Sequence, residues 1–263
     1  MQIGAQLYSA HKRLNTLEGL DAGLKKVADI GYRSVQISGV CPYEPEWMRD
    51  KLQQYGLTCA ITHISPDRII NDTENLVKEH EIFGCRNIGI GMMPDTLRGS
   101  LEGYCQFRDM LLTTGKKLKD LGATLHYHNH RFEFEMLEGK TMMERLIEDI
   151  PADLLEFTLD LGWADAGGAD VLKLINDLKG RISRVHLKDY LPLPTDRVLE
   201  PATPVYLRPI YEGQMNYDPL IKALEAAGTE YALVEQDHSY GEDEFDCLRR
   251  SYEHVTERFP GTK

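Results

Sequence analysis

Short β-prone runs alternate along the chain with longer segments in which apolar positions recur every three to four residues, and the alternation can be counted. The first pair is a strand over 2–8 and a helix over 17–30, whose Leu17, Leu20, Leu24, Val27 and Ala28 share one face and which Gly31 ends. The second is a strand over 34–38 with a helix over 46–55, and the third a strand over 58–63 with a helix over 71–83. Gly56 and Gly84 supply their stops. Strand 87–91 then precedes a long helix over 102–121, and strand 124–130 precedes a helix over 141–150. The last three pairs are 155–160 with 171–178, 182–187 with 217–226, and 231–235 with 243–259.

Eight strand–helix units in 263 residues match the roughly 250 residues of a (β/α)8 barrel, in which closure removes the sheet edges and each helix covers the sheet. A single TIM barrel domain over 1–263 is therefore expected, with an open doubly wound sheet as the alternative. One connection is long: 188–216, after the seventh strand, carries Pro192, Pro194, Pro201, Pro204 and Pro209. Connections of that length are usually functional or disordered, and a lid over the barrel mouth competes with a structural excursion.

Charge narrows the partners. Asp and Glu number 42 against 30 Lys and Arg, a net charge of -12, which repels phosphate backbones and anionic membranes. Neither nucleic acid nor a membrane is an expected partner; a homodimer is left open. The five cysteines are odd in number, widely spaced and never in a CxxC pair, so a reducing cytoplasm is expected rather than a disulfide framework. The N-terminus lacks a basic region followed by an apolar core, and no long apolar run suggests a membrane span.

In a barrel of this kind, chemistry belongs at the C-terminal ends of the strands. Those ends are polar: Gln6 and Tyr8, Gln36 and Ser38, His63, the stretch from His126 to Glu133, Asp160, His186 with Lys188 and Asp189, and Glu235 with Gln236, Asp237 and His238. Period-two alternation puts His126, His128 and His130 on one face of the fifth strand. It sends Phe157, Leu159, Val185 and Leu187 toward the helices. One Asp, one His and one or two Glu from different strands suit manganese, magnesium, cobalt or zinc. Such an ion holds neighbouring oxygens of a polyol or ketose and stabilises an enediolate.

Each residue also has a plainer reading. A lone strand-end histidine is more often hydrogen-bonded structure, and Asp160 could cap the turn after it; the coincidence of Asp160, His186 and Glu235 at three strand ends favours function. His126 and His63 divide evenly between structure and site. Lys188 is read as a substrate contact rather than the surface partner of Asp189, and Tyr8 and His63 as further substrate contacts. His238 is placed outside the site, and His11, His80 and His254 on the surface. Gly89-Ile90-Gly91 resembles a dinucleotide fingerprint but is followed by Met92-Met93-Pro94, and is discounted. The run Glu242-Asp243-Glu244 reads as a helix start.

Five blocks taken together carry a resemblance: Ile3-Gly4-Ala5-Gln6-Leu7-Tyr8-Ser9, Tyr127-His128-Asn129-His130-Arg131-Phe132-Glu133-Phe134, Leu159-Asp160-Leu161-Gly162-Trp163-Ala164, Val185-His186-Leu187-Lys188-Asp189 and Val234-Glu235-Gln236-Asp237. In order and over nearly the whole chain, they resemble the sugar phosphate isomerase/epimerase family, the xylose isomerase-like TIM barrels. The resemblance implies a divalent metal on a Glu, Asp, His, Glu set, of which Asp160, His186 and Glu235 match the last three. The related ketose 3-epimerases carry the first glutamate inside the fifth strand, where this chain has His126 or a neighbour. Glu133 is the expected substitute, with His128 or His130 as the alternative.

The expected activity is thus that of a divalent-metal-dependent isomerase or epimerase of a small sugar, keto sugar or cyclitol, working through an enediolate. Manganese is preferred, with magnesium, cobalt or zinc also suitable, and His128, His130 and Glu235 are the expected acid/base groups. A lyase or dehydratase eliminating from a 3-keto sugar or inosose is the alternative. An endonuclease IV-like nuclease, which the charge opposes, and a non-catalytic sugar-binding barrel are the remaining readings. No Gly-rich phosphate loop is present, so phosphate in the family's name is not transferred.

Overall fold

Eight parallel strands close into a barrel in the computed structural model, which describes residues 1–193 and 205–262. They are Gln2–Gln6, Ser34–Ile37, Thr58–His63, Asn87–Ile90, Thr124–His128, Glu156–Asp160, Arg184–Leu187 and Tyr231–Val234. Their order around the barrel follows their order in the chain, and the first pairs with the last in the register Gln2 to Tyr231 and Ala5 to Val234. The closed sheet expected from the count is therefore present. Alternation also places Tyr127, Phe157, Leu159, Val185 and Leu187 in the main apolar core, all fully buried.

The covering helices form where the apolar spacing puts them, and their starts are capped. Thr16 accepts from Gly19 N–H at the head of Leu17–Ile30, which buries Leu20, Leu24 and Val27. Thr141 and Glu144 make a reciprocal capping box at the head of Met142–Asp149. Departures from the expected boundaries are local. The first strand stops at Gln6 because its side chain accepts from Tyr8 N–H and starts a 3-10 turn over Leu7–Arg13. The expected helix over 71–83 is two helices, Pro66–Asn71 and Thr73–Ile82, the former capped by Ser65. No helix among the described residues is long and apolar enough to cross a membrane.

The long connection begins as a hairpin. Asp189–Pro192 pairs antiparallel with Val205–Arg208, and Pro194, Pro201 and Pro204 lie outside the described residues. Asp189 is not a surface partner of Lys188. It is fully buried, and its carboxylate accepts the N–H groups of Tyr190, Tyr211, Gly213 and Met215, tying the returning chain to the end of the seventh strand.

His80 is also not a surface residue. It is 3% exposed, with Nδ1 2.7 Å from Leu76 O and Nε2 2.8 Å from Thr62 Oγ1, a neutral ring satisfied on both sides. His254 is half-buried against Ile210 O. Burial pushes His80 down from 6.5 to about 4. As pH falls below 6.5 the unfolded chain takes up this proton first, so stability is lost between pH 6.5 and about 4, by up to roughly 3 kcal/mol from this group. Urea denaturation across that range is expected to show the loss, and His80→Gln to shallow it.

Candidate active site

The fifth strand ends in His128-Asn129-His130, and the asparagine sets the geometry. Asn129 Oδ1 accepts from Asp160 N–H at 2.8 Å and its Nδ2 donates to Asp160 O at 3.2 Å, locking together the ends of the fifth and sixth strands. Asp160 then divides its carboxylate. Oδ1 accepts from Trp163 N–H at 2.7 Å and caps the short helix Leu161–Ala166, while Oδ2 lies toward the seventh strand, 3.7 Å from His186 Nδ1. The cap, one of the two readings of Asp160 in the sequence, uses Oδ1 alone.

Two imidazoles are oriented by acceptors. His186 Nε2 lies 2.6 Å from Gln36 Oε1 and His128 Nδ1 3.3 Å from Thr158 O. The acceptors fix which ring nitrogen faces the centre, Nδ1 for His186 and Nε2 for His128. His128, Asp160, His186 and Glu235, all buried, each bring a ligand-type atom within 4.8 Å of the others. His186 Nδ1 is 2.8 Å from Glu235 Oε2 and 3.7 Å from Asp160 Oδ2, yet neither contact has the alignment of a hydrogen bond. Asp160 Oδ2, His186 Nδ1 and Glu235 Oε2, all buried, thus converge on one place without a hydrogen bond among them. Asp160, Glu235 and Asp237 carry three negative charges against the single ammonium of Lys188, which lies 3.0 Å from Asp160 Oδ2 and 2.9 Å from both Glu235 Oε2 and Asp237 Oδ2. With the His186 imidazole neutral, as a ligand would be, one divalent cation offsets the remaining two charges, so donor set, convergence and charge all fit a metal.

The electrostatics follow the same layout. Burial opposes charge on His186, but Glu235 and Asp160 outweigh it and push the imidazole up to about 9; a bound cation takes the place of that proton. Burial likewise works against the Lys188 ammonium, and Asp160, Asp237 and Glu235 overcome it, holding the group well above its ordinary range. Burial raises Asp237 to about 6, against the pull of Lys188. His63 falls to about 3, through burial and then His186; His130 falls to about 4, through burial and then Lys188. Both are neutral imidazoles.

Above this group opens a cavity of about 450 Å3. Tyr8, His63, His128, His130 and Glu235 line it, so five of the expected site residues share one wall system, with Asp160 and His186 beneath them. His238 lines it too, contrary to its expected place outside. Leu207, on the second strand of the hairpin, brings the long connection to the mouth. The glycines that resembled a nucleotide fingerprint make room for His63: a Cβ on Gly89 or Gly91 would come within 2.8 or 2.9 Å of its ring.

One expected placement changes. Glu133 is fully buried but turned away from the cluster; Oε1 accepts from the Tyr127 hydroxyl at 2.5 Å and Oε2 from His130 N–H at 2.8 Å. Burial raises its carboxyl to about 7 despite those bonds. His128 occupies the place in the cluster that Glu133 was expected to take. Lys188 is 1% exposed, does not itself line the cavity and lies 4.9 Å from the Trp163 ring, so it is no surface group. His126 is structural in its contacts, with Nε2 3.1 Å from Asn87 Oδ1. Gln36, Asn129, Trp163 and Asp237 complete the site without having been assigned to it; the first two could have been found from strand alternation and from the hydrogen-bonding capacity of an amide beside a strand end.

Comparison with known proteins agrees with the barrel fold. A curated relative named inosose dehydratase, from Geobacillus kaustophilus (strain HTA426), is 28% identical over 193 residues, 64% of this chain and 61% of the relative, so the match spans about three fifths of that protein. Among solved structures, a sugar phosphate isomerase/epimerase from Parabacteroides distasonis ATCC 8503 superposes with a TM-score of 0.80 at 19% identity, covering 100% of this chain and 95% of the other. The probable 3-DHS dehydratase AsbF from Bacillus anthracis gives a TM-score of 0.76 at 16% identity over 98% and 100% of the two chains. The xylose isomerase-like TIM barrel family model matches residues 24–251, from inside the first long helix to inside the last, and to that family this chain belongs.

Proposed function

We propose that this chain is a divalent-metal-dependent enzyme that removes a proton beside the carbonyl of a small sugar, keto sugar or cyclitol and passes through an enediolate. The observation that carries the proposal is the convergence of His128, Asp160, His186 and Glu235, buried and incompletely paired, at the floor of a cavity walled by neutral imidazoles. When bound, the ion supplies polarisation of the carbonyl and charge stabilisation of the enediolate. Manganese is our first choice. Two imidazoles in the set also suit cobalt and zinc, and favour magnesium less, since it prefers oxygen ligands.

The chain's own groups hold and move the protons. Glu235, on the cavity wall, is the carboxylate we assign to proton transfer at carbon, while His130 and His63 present neutral rings that accept or donate. Tyr8, stacked on His11 with centroids 4.5 Å apart, offers a hydroxyl at the mouth. Return of the proton to carbon gives isomerisation or epimerisation. Loss of a hydroxyl from the next carbon gives elimination. His128 in place of a second carboxylate supports the latter, since it withdraws one of two symmetric carboxylate bases, and the name of the Geobacillus relative points the same way. The five free cysteines and the acidic charge fit a reducing cytoplasm and a small-molecule substrate rather than nucleic acid.

The test is a panel of ketoses, inososes and 3-keto sugars followed by NMR in deuterated water with and without manganese. Deuterium at carbon indicates isomerase or epimerase chemistry and an unsaturated product indicates elimination; both should vanish on chelation. Turnover that survives full chelation would overturn the metal reading, and silence over the whole panel would leave a binding barrel.

A further inference from the structure

Lys188 sits where its length and charge have an unusual use. Its ammonium is 2.9–3.0 Å from three carboxylate oxygens, two of which, on Asp160 and Glu235, belong to residues of the four-residue cluster. The third belongs to Asp237, whose Oδ2 is buried and, among the described residues, has no hydrogen bond beside this ion pair. We propose that Lys188 is a built-in second cation: its ammonium fills the position that a second divalent ion would take beside the first and tunes that first ion without touching substrate. The inference rests on the metal reading above.

The stem is held for this task. Tyr217 donates its hydroxyl to Lys188 O at 2.7 Å, and Gly162 lies so close that a Cβ there would meet Lys188 O at 2.3 Å and Lys188 Cβ at 3.0 Å. The Trp163 ring flanks the ammonium. The side chain is 1% exposed and does not itself line the cavity. Without the ammonium, Asp160, Glu235 and Asp237 would surround a buried space with three uncompensated charges, a donor set of the kind that hard cations take. With it, one dication brings the group to neutrality. A fixed positive charge on two ligand carboxylates also drains them as donors, so the ion is held less tightly and acts as a stronger Lewis acid.

Manganese titration followed by electron paramagnetic resonance, with elemental analysis of the same samples, reads both parts. Wild type is expected to bind one ion per chain. Lys188→Ala should bind two, and Lys188→Ala with Asp237→Asn should return to one. Lys188→Met, of similar length but uncharged, keeps the space filled and should bind its single ion at least tenfold more tightly than wild type, whereas structural damage would loosen it. If Lys188→Ala does not fold, Lys188→Met carries the test alone. One ion in wild type with unchanged count in Lys188→Ala and unchanged or weaker affinity in Lys188→Met overturns this inference and leaves the metal reading standing; no ion in wild type defeats both.

Discussion

Asp160→Asn is expected to strip the bound metal and lower kcat/KM by about 10^3-fold or more while the barrel stays folded. The substitution separates the two halves of the carboxylate. Asn retains an oxygen that accepts from Trp163 N–H, so the cap on Leu161–Ala166 survives. The bonds from Asn129 reach the backbone N–H and C=O of residue 160 and are untouched. What changes is Oδ2, which becomes an amide donor 3.0 Å from the Lys188 ammonium and 3.7 Å from His186 Nδ1. A charged acceptor is thereby replaced by a donor facing a cation, and the cluster loses a ligand and a charge. Lewis-acid stabilisation is worth several kcal/mol, each 1.36 kcal/mol being tenfold in rate, hence the expected magnitude. Elemental analysis and the deuterium-exchange assay check it, with circular dichroism to confirm the fold. Full metal content together with near-wild-type exchange would remove Asp160 from the site.

The barrel was legible because its signal is local and repeated. Alternation within each strand decides which side chains meet the helices, and Phe157, Leu159, Val185 and Leu187 are buried as that rule requires. Asp160, His186 and Glu235 could be placed together because a barrel gathers strand ends wherever the strands lie in the chain. Glu133 could not be placed that way. A three-residue 3-10 turn, Phe132–Phe134, swings its carboxylate back onto Tyr127, which faces the helix layer against Phe107. No hydrophobic period reports such a turn. The burial of Lys188 is illegible for a different reason: its setting depends on carboxylates delivered by the sixth and eighth strands, so its own neighbours Leu187 and Asp189 say nothing of it. For His80 the signal is present in the sequence. It follows Leu76 and Thr73 by four and seven residues on one helix, the spacing of a buried face.

His128→Ala should cost nearly as much of the bound metal as Asp160→Asn, and substitutions at its neighbours His130 and Glu133 should not. The ring is fixed by Thr158 O, which can only accept, so Nδ1 carries the hydrogen and Nε2 is left as the donor atom toward the cluster. Removing it opens one of the four positions in a buried site where nothing else local can fill in: Glu133 is committed to Tyr127 and His130. Metal content should fall below half an ion per chain and exchange activity by about 10^3-fold. His130→Ala takes away a cavity-wall ring that is outside the four-residue cluster, so metal should remain while kcat drops by roughly 10^2 to 10^4-fold, the range for a lost acid or base. Glu133→Gln should keep the metal and lose about 1–3 kcal/mol of stability, because one of its two buried hydrogen bonds is no longer matched. The three metal contents, measured side by side, distinguish the arrangements: if Glu133→Gln empties the site and His128→Ala does not, the turn at Phe132–Phe134 must rearrange to carry the carboxylate inward, and the first ligand is Glu133 after all.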